Sequence, residues 1–194
     1  SKIFIIAVKD DAITDVVKQI ITPKNAIICH TSGSVEASVF ENKFENYGIF
    51  YPLQTFSKDR KVDFLEIPIL LEASDSKTFN ELNTLADLIS ENVQKCNSEQ
   101  RRQIHLAAVF ASNFANKLLG ISKEILAEKN LDFNLLEPLV KEQVKKAFEL
   151  TPEKAQTGPA IRGDKKTIAK HLEMLGDNSD NQKLYKFISG VIGK

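Results

Sequence analysis

The sequence predicts an α/β domain built on a parallel sheet, followed by an all-helical domain. Short β-branched apolar runs alternate with amphipathic helical stretches as far as about residue 97. Beyond that point no segment reads as a strand, and long periodic stretches are separated by Gly- and Pro-containing turns. The expected boundary therefore falls near Asn97, with domains at 1–97 and 98–194.

Lys2–Val8, KIFIIAV, is a continuous apolar run of the kind buried on both faces of a parallel sheet. DDAITDVVKQI follows with Ile13, Val16, Val17 and Ile20 at the i, i+3, i+4, i+7 spacing of a helix with one apolar face. NAIICH reads as the next strand, then a Ser/Gly-rich turn, then NYGIFYP as another strand. EIPILLEA, a helix from about Ser76 to Glu91 and a short strand VQKC complete the first pattern. Residues 98–130 are long enough for one helix of about eight turns. FNLLEPLVKEQVKKAFEL places Leu135, Leu136, Leu139, Val140, Val144, Ala147 and Phe148 on one face, with Pro138 in the first turn, where its missing N–H costs little. Helices from about Lys165 to Leu175 and Asn181 to Ile192 end the chain's pattern.

Among the 194 residues, Lys plus Arg equals Asp plus Glu, 26 against 26, so no bulk field favours nucleic acid or anionic lipid. Cys29 and Cys96 have no metal-type spacing and cannot form a disulfide framework. IFIIAV is too short for a membrane span. These features lead us to expect a cytoplasmic protein with no metal site and neither nucleic-acid nor membrane partners.

Three segments could carry chemistry. TGPAIRGD, residues 157–164, has the G-x-x-x-x-G spacing of a phosphate loop, but Asp164 stands where Lys is needed and no strand precedes it. A turn explains Gly158 and Pro159, a helix cap explains Asp164, and Arg162 is left to meet an anion. On the long helix, Ser112 and Asn116 lie about 20° either side of His105 at 100° per residue, with Arg101 about 40° away and Asn113 about 80°. That stripe reads either as a solvent-facing edge or as a row of groups lining a cleft. CHTSGS, from Cys29 to Ser34, follows a strand, the place where α/β sheets bind ligands. It reads equally as a turn with Ser34 as a helix cap. A Cys29–His30 catalytic pair is disfavoured, because adjacent strand residues point to opposite faces. His171 reads as a surface residue.

Taken together and in order, AVKDDAI, HTSGS with GIFYPLQTF, and AAVFASNFANKLL with TGPAIRGD resemble the Rossmann-like DUF2520-type proteins. These are labelled NADP- or coenzyme F420-dependent oxidoreductases, relatives of pyrroline-5-carboxylate reductase and the β-hydroxyacid dehydrogenases. The resemblance covers nearly the whole chain. It implies a partial Rossmann-like parallel sheet, then a helical domain resembling the C-terminal domain of 6-phosphogluconate dehydrogenase, and a homodimer. Family members begin with a further 60 to 75 residues (roughly) that hold the Gly-rich phosphate turn, so this chain is expected to start after it. The resemblance places Val8, Lys9, Asp11, Thr31 and Gly33 at the cofactor, NADP or F420. Ser32, Tyr51, His105, Ser112 and Asn113 are expected at a small-molecule substrate, with His30 as proton donor, Asn116 orienting the substrate and Arg162 anchoring an anionic group. Relatives commonly carry His-Pro where this chain has Tyr51-Pro52; Tyr51 would then have to take over the proton, or the chemistry is altered. The implied activity is hydride transfer to or from a small C=O or C=N substrate in a cleft between the domains. The alternative is a non-catalytic dimerising or ligand-sensing module.

Overall fold

The computed structural model describes residues 2–177 and 179–193. The chain divides into two compact units, Ser1–Phe114 and Ala115–Lys194.

The first unit holds one five-stranded sheet in sequence order: β1 (Ile3–Ile6), β2 (Ile27–His30), β3 (Tyr47–Pro52), β4 (Ile69–Ala73) and β5 (Val93–Lys95). β1, β2 and β3 run parallel, as do β4 and β5. The expected parallel sheet needs one correction, since β4 is antiparallel to β3. The linker 53–68 contains no helix to carry the chain back across the sheet, and without such a crossover neighbouring strands pair antiparallel.

Every residue of β2 is buried. Ile27 and Cys29 join Phe50, Ile69 and Leu71 beneath Leu82 and Ala86 of α2 (Ser76–Asp87). Ile28 joins Ile6 beneath Ile13 and Val17 of α1 (Asp10–Gln19) and Phe40. This period-two partition explains the uninterrupted apolar reading of IICH. Asp75 starts α2 by accepting from the N–H groups of Lys77 and Thr78, a cap worth about 1 kcal/mol.

Asn97 opens α3 (Ser98–Ala108) with a capping box, accepting from Gln100 N–H while the Gln100 side chain accepts from Asn97 N–H. A π-helical segment, Val109–Phe114, follows, and the helical run continues as α4 (Ala115–Ala127). The compact division thus falls after Phe114 and not near Asn97. Arg101 of α3 is completely buried against Glu72 of β4, and Arg102 pairs with Glu36, so α3 belongs to the sheet unit. By length and composition alone, Ser98–Ala127 could cross a membrane, its most apolar stretch averaging a hydropathy of 1.2. Its first turns are instead fastened to the sheet by those two arginines.

The second unit contains α4, α5 (Glu137–Leu150), α6 (Pro152–Ala155), α7 (Lys165–Met174) and α8 (Asp180–Ile192). TGPAIRGD forms the bend before α7. Gly158 and Gly163 adopt φ of 109° and 65°, a region open to glycine, and Asp164 caps α7 by accepting from Thr167 N–H at 3.1 Å.

Candidate active site

The site is built at the carboxyl ends of β1, β2 and β3, where an open parallel sheet exposes its loops. After β2 the chain turns through HTSGS. Ser32 N–H donates to His30 Nδ1 at 3.1 Å, and Ser32 Oγ accepts from the N–H groups of Ser34 and Val35 at 3.1 and 3.0 Å. Ser34 Oγ donates to Asp10 Oδ2 at 2.5 Å, tying this turn to the first residue of α1. Ser32 therefore organises the turn, and Ser34 makes a lateral bond in place of the expected helix cap.

His30 is 0% exposed, with its ring 5.4 Å from that of Phe40. Burial, helped by the nearby positive charge of Arg101, pushes its pKa down to about 4. Since Nδ1 accepts from Ser32, the neutral ring carries its proton on Nε2, which has no hydrogen-bond partner among the described residues. The expectation of His30 as proton donor to substrate is corrected on this ground. A neutral, fully buried imidazole that does not line the cavity beside Tyr51 serves as a strut for the turn.

Tyr51, at the carboxyl end of β3, is buried in the body of the sheet unit and presents its hydroxyl to α3. Its hydroxyl lies 3.0 Å from His105 Nδ1, the two rings meeting edge to face at 67°. Burial raises the Tyr51 pKa and the negative charge of Asp10 adds to this, so the phenol keeps its proton at neutral pH. Both side chains line a cavity of about 530 Å³ with Gln54, Thr55, Ser112 and Asn113, walled by Leu53, Ile104 and alanines. His105 is held in place one helical turn after Arg101. Arg101 binds the Glu72 carboxylate, the Val35 carbonyl at 2.6 Å and Ser98 Oγ at 3.2 Å.

The structure brings together Tyr51, His105, Ser112 and Asn113, all expected at the substrate, with Gly33 packed behind the first two. α-Helical geometry had put Asn113 about 80° from His105. The π segment spreads residues differently around the axis, because its hydrogen bonds run i to i+5, and both Ser112 and Asn113 reach the cavity. Val8, Lys9 and Asp11 are exposed at the end of β1 and the start of α1; Thr31 is half-buried and Ser32 buried. Asn116 and Arg162 are exposed residues of the second unit. Gln54 and Thr55 were missed. Their signal was position, directly after the carboxyl end of a central strand.

Among these positions, the ones expected at a nicotinamide cofactor suit its ribose and ring better than its phosphates. Val8, 44% exposed, offers an apolar surface at a strand end. Asp10 and Asp11 in the first turn of α1 can accept from hydroxyl groups and would repel phosphate.

The DUF2520 domain of unknown function matches residues 67–192. No curated protein matches the chain. A Bacteroides fragilis protein provisionally named NADP oxidoreductase is 42% identical, with a TM-score of 0.95 over 100% of this chain and 75% of its own. A Thermotoga maritima protein is 26% identical, with a TM-score of 0.75 over 97% of this chain and 75% of its own. At 11% identity, a Myxococcus stipitatus imine reductase in complex with NADP+ shares the fold, with a TM-score of 0.56 over 100% and 72% of the two chains. The chain accordingly belongs to the DUF2520 family and carries its Rossmann-like α/β fold with a helical C-terminal part.

Proposed function

We propose that the protein is an NAD(P)-dependent oxidoreductase acting on a small C=O or C=N substrate. The observation that carries this reading is the Tyr51–His105 pair, hydrogen-bonded at 3.0 Å and opening on a cavity beside the carboxyl ends of parallel strands. Family membership and the naming of the Bacteroides relative support it.

When bound, the nicotinamide supplies the hydride, with Val8, Lys9, Asp11, Thr31 and the backbone of Gly33 as the residues that would hold it. As the substrate carbon gains that electron pair, its oxygen or nitrogen takes the proton of Tyr51 Oη. His105 Nδ1–H donates to the phenolate that remains; as that proton passes to Tyr51 Oη, Nε2 takes one from solvent, so the ring stays neutral. Gln54, Thr55, Ser112 and Asn113 orient the polar end of the substrate, and the alanines of the wall leave room for its apolar part. Asn116 and Arg162 are proposed to orient the substrate and anchor an anionic substituent in the same reaction. F420 is retained as the other hydride carrier.

The proposal includes a homodimer. Among described residues of the second unit, Ile121 and Ala155 are the only buried apolar side chains, while Leu135, Leu139, Val144 and Phe148 are exposed. A surface of that kind calls for a partner. Titration with NADPH and NADH, followed by nicotinamide fluorescence, tests cofactor use. Saturable enhancement is expected, and no response at millimolar concentrations of either would remove the enzyme reading.

A further inference from the structure

Gly33 does not need to be glycine for its backbone, because its φ lies outside the left-handed region. What it lacks is a side chain at a place where none fits. A Cβ there would stand 2.5 Å from His105 Nδ1, 2.8 Å from His105 Cγ and 2.8 Å from Tyr51 Cζ. The nitrogen met is the one that bonds to Tyr51.

We propose that Gly33 is a positioning residue: its bare backbone is the seat against which the Tyr51–His105 pair is registered. The role assigned to that pair rests on the oxidoreductase reading; the seat itself does not. The HTSGS turn supplies the rigidity. Its buried His30 accepts from Ser32, Ser32 Oγ holds the next two N–H groups, and Ser34 is bonded to Asp10. Arg101 ties the helix that carries His105 to Glu72 and to the Val35 carbonyl at the end of the same turn. The pair is thus gripped between a fixed turn and a fixed helix, with Gly33 setting the clearance.

Any methyl group at position 33 must displace both rings. Moving His105 Nδ1 from 2.5 Å to the 3.4 Å of ordinary contact requires a retreat of about 0.9 Å. A 3.0 Å hydrogen bond does not survive unless Tyr51 moves in concert. Misplacement on this scale in a reacting group costs about 10²-fold in rate.

Nitrogen-15 NMR of the histidine rings reads the seat directly in the wild-type chain, Gly33→Ala, Tyr51→Phe and Gly33→Ala/His105→Ala, alongside thermal unfolding. Gly33→Ala is expected to shift the His105 Nδ1 signal in the direction that Tyr51→Phe shifts it, by loss of the same hydrogen bond, while the His171 signals stay in place. His105→Ala removes the two nearest contacts, so the double variant is expected to recover stability that Gly33→Ala loses. Wild-type His105 signals in Gly33→Ala would overturn the proposal, whatever the cofactor titration shows. If Gly33→Ala does not fold, a variant that also carries His105→Ala and Tyr51→Ala removes all three contacts; its failure to fold, where His105→Ala/Tyr51→Ala alone folds, would overturn the proposal too, since the obstruction would then lie elsewhere. In turnover, Gly33→Ala should lower kcat about 10²-fold; a loss confined to KM would contradict positioning.

Discussion

In residues 2–114, apolar side chains pack onto a sheet covered from both sides, and most buried polar atoms are drawn into bonds, Arg101 to Glu72 and Val35 and Ser32 to its own turn, with His30 Nε2 and Arg101 Nε the exceptions among the described residues. In residues 115–193 the helices are as regular, yet Phe148 is 90% exposed, Leu139 66% and Leu135 65%. Exposed apolar side chains occur in the first unit as well, Ile21 and Leu88 among them, but there they surround a large buried core, whereas among the described residues of the second unit only Ile121 and Ala155 are buried apolar side chains. The difference bears on the two proposals, the proton-transfer pair in the sheet unit and the assembly surface on the helical one. A proton-transfer pair needs the fixed surroundings that the sheet unit offers, and an assembly surface needs the exposed apolar area that the helical unit retains.

The most drastic way to break this contrast is to place a charge on the uncovered helices. Phe148→Glu should convert the proposed dimer to monomer in light scattering while leaving helix content unchanged. An unaltered assembly, or a wild-type monomer, would remove the partner from the account.

The same kind of change inside the sheet unit should act on folding. Arg101→Ala leaves Glu72 without its cation beside the core, and a broken buried pair of this type costs about 3–5 kcal/mol. Because Glu72 retains 21% side-chain exposure, the lower end of that range is expected. Urea unfolding would show it as a lowered midpoint; a loss below about 1 kcal/mol would place the pair with ordinary surface bridges.

His30 sharpens the comparison through pH. Its folded pKa of about 4 lies below the ordinary histidine value of 6.5, so between these values the unfolded chain binds a proton that the folded chain refuses. The resulting stability is fully present above pH 6.5 and is lost as pH falls toward 4, about 3 kcal/mol in all. His30→Asn should flatten that part of the stability curve, and an unchanged slope would mean that His30 is not the group responsible.

Much of the sheet unit was legible in the sequence, because the burial of each strand writes an apolar run. IICH and YGIFYP read as strands for that reason. The bend at 157–164 was equally legible, since two left-handed glycines and an aspartate cap are local chemistry. What escaped depended on distant pairing. Arg101 read as part of a polar stripe because its partner, Glu72, lies 29 residues earlier and on a strand. His30 read as a cleft acid because a histidine at a strand end looks the same whether buried or open. Tyr51 and His105 were named separately, and only the fold joins two groups 54 residues apart. The π segment changed the angular count along the long helix, which periodicity alone does not foresee.

The central claim is that Tyr51, backed by His105, gives up the proton that accompanies hydride transfer. It is tested most directly by following NADPH oxidation with a panel of small ketones and cyclic imines, comparing wild type with Tyr51→Phe. The account predicts turnover of at least one class by the wild type and a kcat lower by about 10²–10⁴-fold in the variant, with unfolding unchanged. Equal turnover by Tyr51→Phe would contradict it.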